Sequence, residues 1–264
     1  MGKTAILNPG QDQIAYTLDG PADAPVLVLS NSLGTTMCMW NSQIDALSRR
    51  YRVLRYDTRG HGSSGAGADT GDGYTLDQLG GDVVRLLDGL GIERAGFCGI
   101  SMGGLTGLWL GVHAADRIQR LVVANSAARI GSATGWTERA NLVMSSGMDG
   151  VAEGARGRWF TDAFCRRSPA LTDVLIDELR LCPPAGYAAC CLALAAADLR
   201  DDIRAIRVPT LLIAGRHDPV TTVADGEFMR ERIAGSRLAV VDGSHLSNVE
   251  DADNFTGLLR TFLG

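Results

Sequence analysis

The stretch FCGISMG (residues 97–103) sets one serine between two glycines, as Gly99-x-Ser101-x-Gly103. In a chain with 33 glycines among 264 residues, that spacing proves little by itself. It gains meaning if an apolar strand runs into it and a helix runs out. The serine then sits on a turn too tight for side chains two positions to either side, which is a steric reason for both glycines. Both flanks fit. RAGFCG (94–99) is a run of strand length, and Leu105, Leu108, Trp109 and Val112 follow with helical spacing. A serine on such an elbow is presented at the carboxyl edge of a sheet, over a helix N-terminus that favours developing negative charge.

Working outward, the same rhythm extends in both directions. Upstream, IAYTL (14–18) reads as an edge strand after the turn-rich NPGQDQ (8–13). PVLVLSNS (25–32) and YRVLRYD (51–57) are strand-length apolar runs of the kind buried on both faces, with helical patterns around 39–49 and 75–90. Downstream, RLVVAN (120–125) is a further strand. From about 130 to 200 only helical patterns occur, such as 137–148, 170–181 and 187–198. The alternation then resumes with VPTLLIAG (208–215), a helix at 223–234, SRLAVVDG (236–243) and an amphipathic segment at 249–263. Strand–helix alternation predicts an α/β fold with a mostly parallel central sheet flanked by helices. The interruption predicts an inserted helical cap: a core of residues 1–128 and 201–264, and a cap of residues 129–200.

Composition narrows the function classes. A net charge of −5 argues against a broad nucleic-acid surface, which needs clustered Lys and Arg. No apolar run approaches membrane-spanning length, so no membrane partner is expected. The opening MGKTAILNPGQDQ lacks the apolar core of a signal peptide, and Ile6 breaks the myristoylation pattern that Met-Gly begins, so a cytoplasmic location is expected. Six cysteines show no C-x-x-C pair and no zinc-like spacing, so no metal is expected. The adjacent Cys190 and Cys191 read as two buried thiols. The oligomeric state is left open.

A serine hydroxyl is a weak nucleophile until a base takes its proton. Of four histidines, His61 lies in the loop RGHGSSG, His113 on the helix after the elbow and His217 beside Asp218. Only His245 lies in a loop just past the last strand. The carboxylate that orients it should follow an earlier strand, as Asp218 does in LLIAGRHDP; Asp242 is the rival acid. Ser101, Asp218 and His245 then stand in the chain order this kind of elbow uses. A tetrahedral oxyanion needs two backbone donors. One is expected at Met102, directly after the serine, and one at Leu33 in the loop SNSLGT (30–35). Ser32 either adds a hydroxyl to that pocket or caps the turn. Gly60, Gly62 and Gly65 spell a competing dinucleotide fingerprint, but they lead into more loop, AGADTGDG, and not into a helix, so RGHGSSG reads as structural.

With these residues in place, the sequence resembles the α/β-hydrolases and, within them, the 3-oxoadipate enol-lactonases of the β-ketoadipate pathway. The segments LSNSLGTTMCMW (29–40), VLRYDTRGHGSS (53–64), FCGISMGG (97–104), RLVVANSAARIG (120–131), RWFT (158–161), PPAGYAACCLAL (183–194) and HLSNVE (245–250) carry the resemblance almost end to end. It implies an α/β-hydrolase fold, and it puts the family's catalytic serine, aspartate and histidine on Ser101, Asp218 and His245. The implied reaction opens the enol-lactone of 3-oxoadipate with water through an acyl-enzyme, with no metal or organic cofactor. That substrate carries a free carboxylate, so a cation in the cap is expected. Arg129, Arg139, Arg156 and Arg158 are available, with Arg139 and Arg129 favoured and Trp136 and Trp159 as apolar walls. Two other readings share the elbow: an esterase or lactonase for an uncharged ester, and a hydrolase-fold receptor for a small molecule.

Overall fold

Six of the apolar runs become neighbouring parallel strands. The structure, a computed structural model, describes residues 2–8, 12–67 and 70–264. Residues 9–11 of the turn-rich NPGQDQ and 68–69 of AGADTGDG lie outside the described residues. In chain order the strands are β1 (Ala5–Leu7), β2 (Ile14–Asp19), β3 (Val26–Ser30), β4 (Arg52–Tyr56), β5 (Ala95–Ile100), β6 (Ile118–Ala124), β7 (Thr210–Gly215) and β8 (Arg237–Val241). They form one sheet in the order β1-β2-β4-β3-β5-β6-β7-β8, with β3 to β8 parallel and β1 and β2 antiparallel. The expectation that IAYTL is the edge strand is corrected: β1 pairs outside β2. Three residues, AIL, are too few to show a period.

The helices are α1 (Asn41–Leu47), α2 (Leu76–Gly89), α3 (Met102–His113), α4 (Ala133–Ser146), α5 (Asp149–Trp159), α6 (Asp162–Arg167), α7 (Pro169–Arg180), α8 (Pro184–Ala196), α9 (Val223–Arg232), α10 (Ser247–Glu250) and α11 (Ala252–Leu263). Helix α2 starts at a capping box, with Thr75 Oγ1 accepting from Gln78 N–H and Gln78 Oε1 accepting from Thr75 N–H. Every residue of β5 is buried, including Phe97, and the following α3 is buried on nearly every side. Burying a side chain of that size stabilises by about 1.5–3 kcal/mol, so the strand–turn–helix at residues 95–113 is anchored from both ends.

Helices α4 to α8 all fall between β6 and β7, with no strand among the described residues of that stretch. Helices α5 and α6 were not anticipated. Gly150, Gly154 and Gly157 dilute any apolar period in α5. Among the described residues no single helix is long and apolar enough to cross a membrane; α7 and α8 pass by composition only as a pair bent by 92°.

Candidate active site

The carboxyl ends of β3, β5, β6, β7 and β8 all open on one edge of the sheet, where open α/β sheets bind ligands. Ser101 follows β5 with φ 57° and ψ −117°, a backbone region that costs about 1–3 kcal/mol for a residue with a side chain. Neighbouring bonds hold it there. Ser101 N–H donates to Ala124 O at 3.0 Å, and Ser126 Oγ donates to Ser101 O at 2.7 Å. The two glycines are sterically required. A Cβ on Gly99 would lie 2.1 Å from Gly103 O, and one on Gly103 would lie 2.4 Å from Ser30 O.

Asp218 lies just past β7 and His245 just past β8. Both are buried, and His245 Nδ1 donates to Asp218 Oδ2 at 2.8 Å, which leaves Nε2 as the basic nitrogen. Burial alone would raise the Asp218 pKa. Hydrogen bonds from His245, Asn125 and Thr221 outweigh it and hold the carboxyl below its usual range. Asp218 Oδ1 takes Val220 N–H at 2.7 Å and Thr221 N–H at 3.1 Å, while Oδ2 also takes Thr221 Oγ1 at 2.8 Å. The rival Asp242 is exposed and pairs instead with His217 Nε2 at 2.9 Å. His113 packs against Trp109, with ring centroids 5.0 Å apart.

The loop after β3 is fixed by a set of specific bonds. Asn31 Nδ2 donates to Tyr56 O at 2.8 Å, Trp40 Nε1 donates to Asn31 Oδ1 at 3.0 Å, and Gly103 N–H donates to Asn31 O at 3.1 Å. Ser32 N–H points to Met39 Sδ at 3.4 Å, and Gly34 N–H donates to His61 Nε2 at 3.0 Å. Between them, Leu33 N–H donates to no described residue, and neither does Met102 N–H at the start of α3. These two backbone donors are spare among neighbours that are all engaged. Ser32 is buried against the same loop, and its carbonyl accepts from Thr35 Oγ1 at 2.8 Å.

The RGHGSSG loop (59–65) runs on toward α2 and not directly into a helix, as a structural loop should. His61 works inside it: Nε2 accepts from Gly34, and Nδ1 donates to Arg59 O at 3.2 Å.

Above the elbow lies a cavity of about 340 Å³ that Ser101, His245, Ser32 and Leu33 share with residues of the helical block. That size suits a small metabolite. Trp136, Arg139, Arg158, Trp159 and Tyr187 line its upper side. Arg139 lies over the Trp136 ring, 5.0 Å from its centroid, and Trp136 Nε1 donates to Ile130 O at 2.6 Å. Arg158 donates to Val151 O at 3.0 Å; burial first, and then the charge of Arg139, lower its pKa. Neither arginine makes an ion pair with a described residue.

The expectation for Arg129 is corrected. It does not line the cavity and instead reaches Asp198 at 3.4 Å, because the chain after β6 turns its side chain outward. Arg156 also points away, to Asp173 and to Thr172 Oγ1 at 2.9 Å. Arg158 is the cavity-lining arginine that the sequence reading did not favour; its one signal was its place beside Trp159. Among the described residues no group of His, Cys, Asp or Glu is arranged to hold a metal ion. Cys190 and Cys191 are free, buried thiols. A hydroxyl, an imidazole, a buried carboxylate and two spare N–H groups around one cavity have the parts for acyl transfer.

Residues 25–167 match the family described as alpha/beta hydrolase fold. The chain belongs to the α/β-hydrolase family. The hydrolase is 49% identical to 3-oxoadipate enol-lactonase 2 of Acinetobacter baylyi over 91% of this chain and 89% of that protein. It is 46% identical to 3-oxoadipate enol-lactonase 1 of the same organism, over 98% of this chain and 96% of that protein. The crystal structure of the enol-lactonase from Burkholderia xenovorans LB400 superposes with a TM-score of 0.95 at 45% identity, covering 98% of this chain and 99% of that one. These three likenesses extend through the helical block as well as the sheet.

Proposed function

We propose that the chain hydrolyses the enol-lactone of 3-oxoadipate to 3-oxoadipate, a step of aromatic catabolism. The observation that carries this reading is the near-half identity to enol-lactonases over almost the whole chain, including the helices that line the cavity. We further propose that residues 129–200 act as a cap over a core formed by residues 1–128 and 201–264, and that Ser101, His245 and Asp218 are the nucleophile, base and orienting acid.

In this mechanism Ser101 Oγ attacks the lactone carbonyl as His245 Nε2 takes its proton, and Asp218 stabilises the imidazolium. The oxyanion lies between the N–H groups of Leu33 and Met102, whose lack of other partners supports that role. The C–O bond to the ring oxygen breaks. The leaving enol stays tethered to the acyl group, takes the proton from His245 and ketonises. Water then attacks the acyl-serine, giving its proton to His245, and 3-oxoadipate leaves as Ser101 regains its hydrogen. Arg139 and Arg158 hold the substrate's free carboxylate, which relieves their mutual repulsion, with Trp136 and Trp159 walling the ring. Ser32 borders the same space.

The test is steady-state hydrolysis of the enol-lactone beside a neutral short-chain ester, with wild type and Ser101→Ala. The reading expects kcat/KM to favour the enol-lactone by several decades and the variant to be inactive. Preference for the neutral ester would overturn the substrate and favour a general esterase. No turnover of either by wild type would favour a receptor.

A further inference from the structure

The carboxylate of Asp218 is held by a residue from a third strand. Asn125 follows β6, is buried, and has φ 42°, a left-handed conformation uncommon for a residue with a side chain. Asparagine tolerates it best when its amide is well bonded, and here the bonds are long-range. Nδ2 donates to Asp218 Oδ2 at 3.0 Å and to Ser244 O at 3.1 Å. Oδ1 accepts from Ser247 Oγ at 2.5 Å, which fixes the orientation of the amide and keeps both N–H groups on the side of Asp218. One carboxamide thus bonds the acid after β7, the residue before His245 and the helix just after it. Gly215 leaves room for it, since a Cβ there would lie 2.7 Å from Asn125 Nδ2.

We propose that Asn125 is a positioning residue for the acid–base pair: its amide keeps Asp218 aimed at His245 and shares part of the carboxylate's charge. The proposal rests on the triad reading given above. Asp218 Oδ2 takes three donors, from His245, Thr221 and Asn125. Each shares charge that would otherwise fall on the imidazole. With one donor gone, more of the carboxylate's charge bears on the bond to His245, so the acid limb of activity, which reports the pair, should move to higher pH. The charged groups around the pair are Arg139 and Arg158 across the cavity, Glu250 on Ser244 N–H, and the exposed His217–Asp242 pair.

The experiment measures kcat/KM against pH on a neutral p-nitrophenyl ester, which makes it independent of which lactone is natural. Asn125→Gly removes the amide while allowing the left-handed backbone. Ser247→Ala keeps the amide and frees its orientation. Asn125→Gly is expected to move the acid limb up by about half a pH unit or more and to lower kcat about tenfold with KM within about twofold. Ser247→Ala should shift the limb in the same direction by less. An unmoved limb in both, with activity lost only in proportion to Tm, overturns the proposal. If Asn125→Gly does not fold, the limb of Ser247→Ala decides alone. Residual turnover in Ser101→Ala would instead strike the triad reading, so the two failures are distinguishable.

Discussion

The sheet edge and the helical block meet at one cavity, yet they treat charge in opposite ways. At the edge, the carboxylate of Asp218 is bonded through both oxygens to His245, Asn125, Val220 and Thr221. In the helical block, Arg139 and Arg158 face the same space with no acidic partner among the described residues, each raising the other's cost. The first arrangement is complete before anything binds. The second leaves two half-buried like charges without a counter-charge, a repulsion that an anion in the cavity would relieve. This division fits the proposed reading, in which the chemistry lies at the sheet edge and the selectivity in the helical block.

The largest effect is expected at the sheet edge. Asp218→Asn should lower kcat by about 10⁴-fold, since an amide can no longer hold the imidazole in the productive tautomer. Asp242→Asn, at the rival acid, should leave kcat within about twofold. Equal losses in both variants, read in one assay, would show that the acid had been misassigned.

A smaller, more selective effect is expected from the helical block. Arg158→Gln and Arg139→Gln should each raise KM for the carboxylate-bearing lactone by about 10- to 100-fold, the range for losing a charged hydrogen bond. KM for a neutral ester should stay within about twofold. Tm should hold or rise, because either change removes a repulsion. Arg129→Gln is the control: its partner is Asp198, so it should alter neither substrate's KM. An equal rise in KM for both esters would make the arginines structural.

The same division governs what could be read in the sequence. The sheet edge was legible because its residues are tied to strand ends. Ser101, Asp218 and His245 each follow an apolar run, and the glycines at 99 and 103 have a steric cause visible in the spacing. Asn125 also ends an apolar run, in RLVVAN, but a lone amide carries no motif, and its partners are 93, 119 and 122 residues away. The helical block was legible only as helices. Which arginine faces inward depends on the turn of α5 and on where its end is tied. Leu246 N–H donates to Trp159 O at 3.0 Å, and Ser244 Oγ donates to Arg158 O at 3.3 Å. Those long-range bonds brought Arg158 to the cavity, while Arg129, favoured for its place just after β6, turned outward.

The subtlest prediction concerns the residue that joins the two regions. His61 accepts from Gly34 in the loop after β3, and its ring centroid lies 6.4 Å from that of Tyr187 in α8. Burial lowers its pKa from 6.5 to about 4, so it is neutral when folded, as an acceptor for Gly34 must be. The unfolded chain takes up the proton first as pH falls. Stability from this group is therefore complete above about pH 6.5 and is lost on the way down to about 4, by roughly 3 kcal/mol in all. Asp218, held below the usual carboxylate range, loses its contribution only in a lower window, as pH falls through its own pKa. His61→Gln keeps an acceptor and a donor but removes the titration, and groups common to both proteins cancel in the difference. Between pH 7 and 4.5 the Tm of the variant should fall less than that of wild type, by about 5 °C. Parallel curves would mean that the loop after β3 is held by something other than a neutral His61.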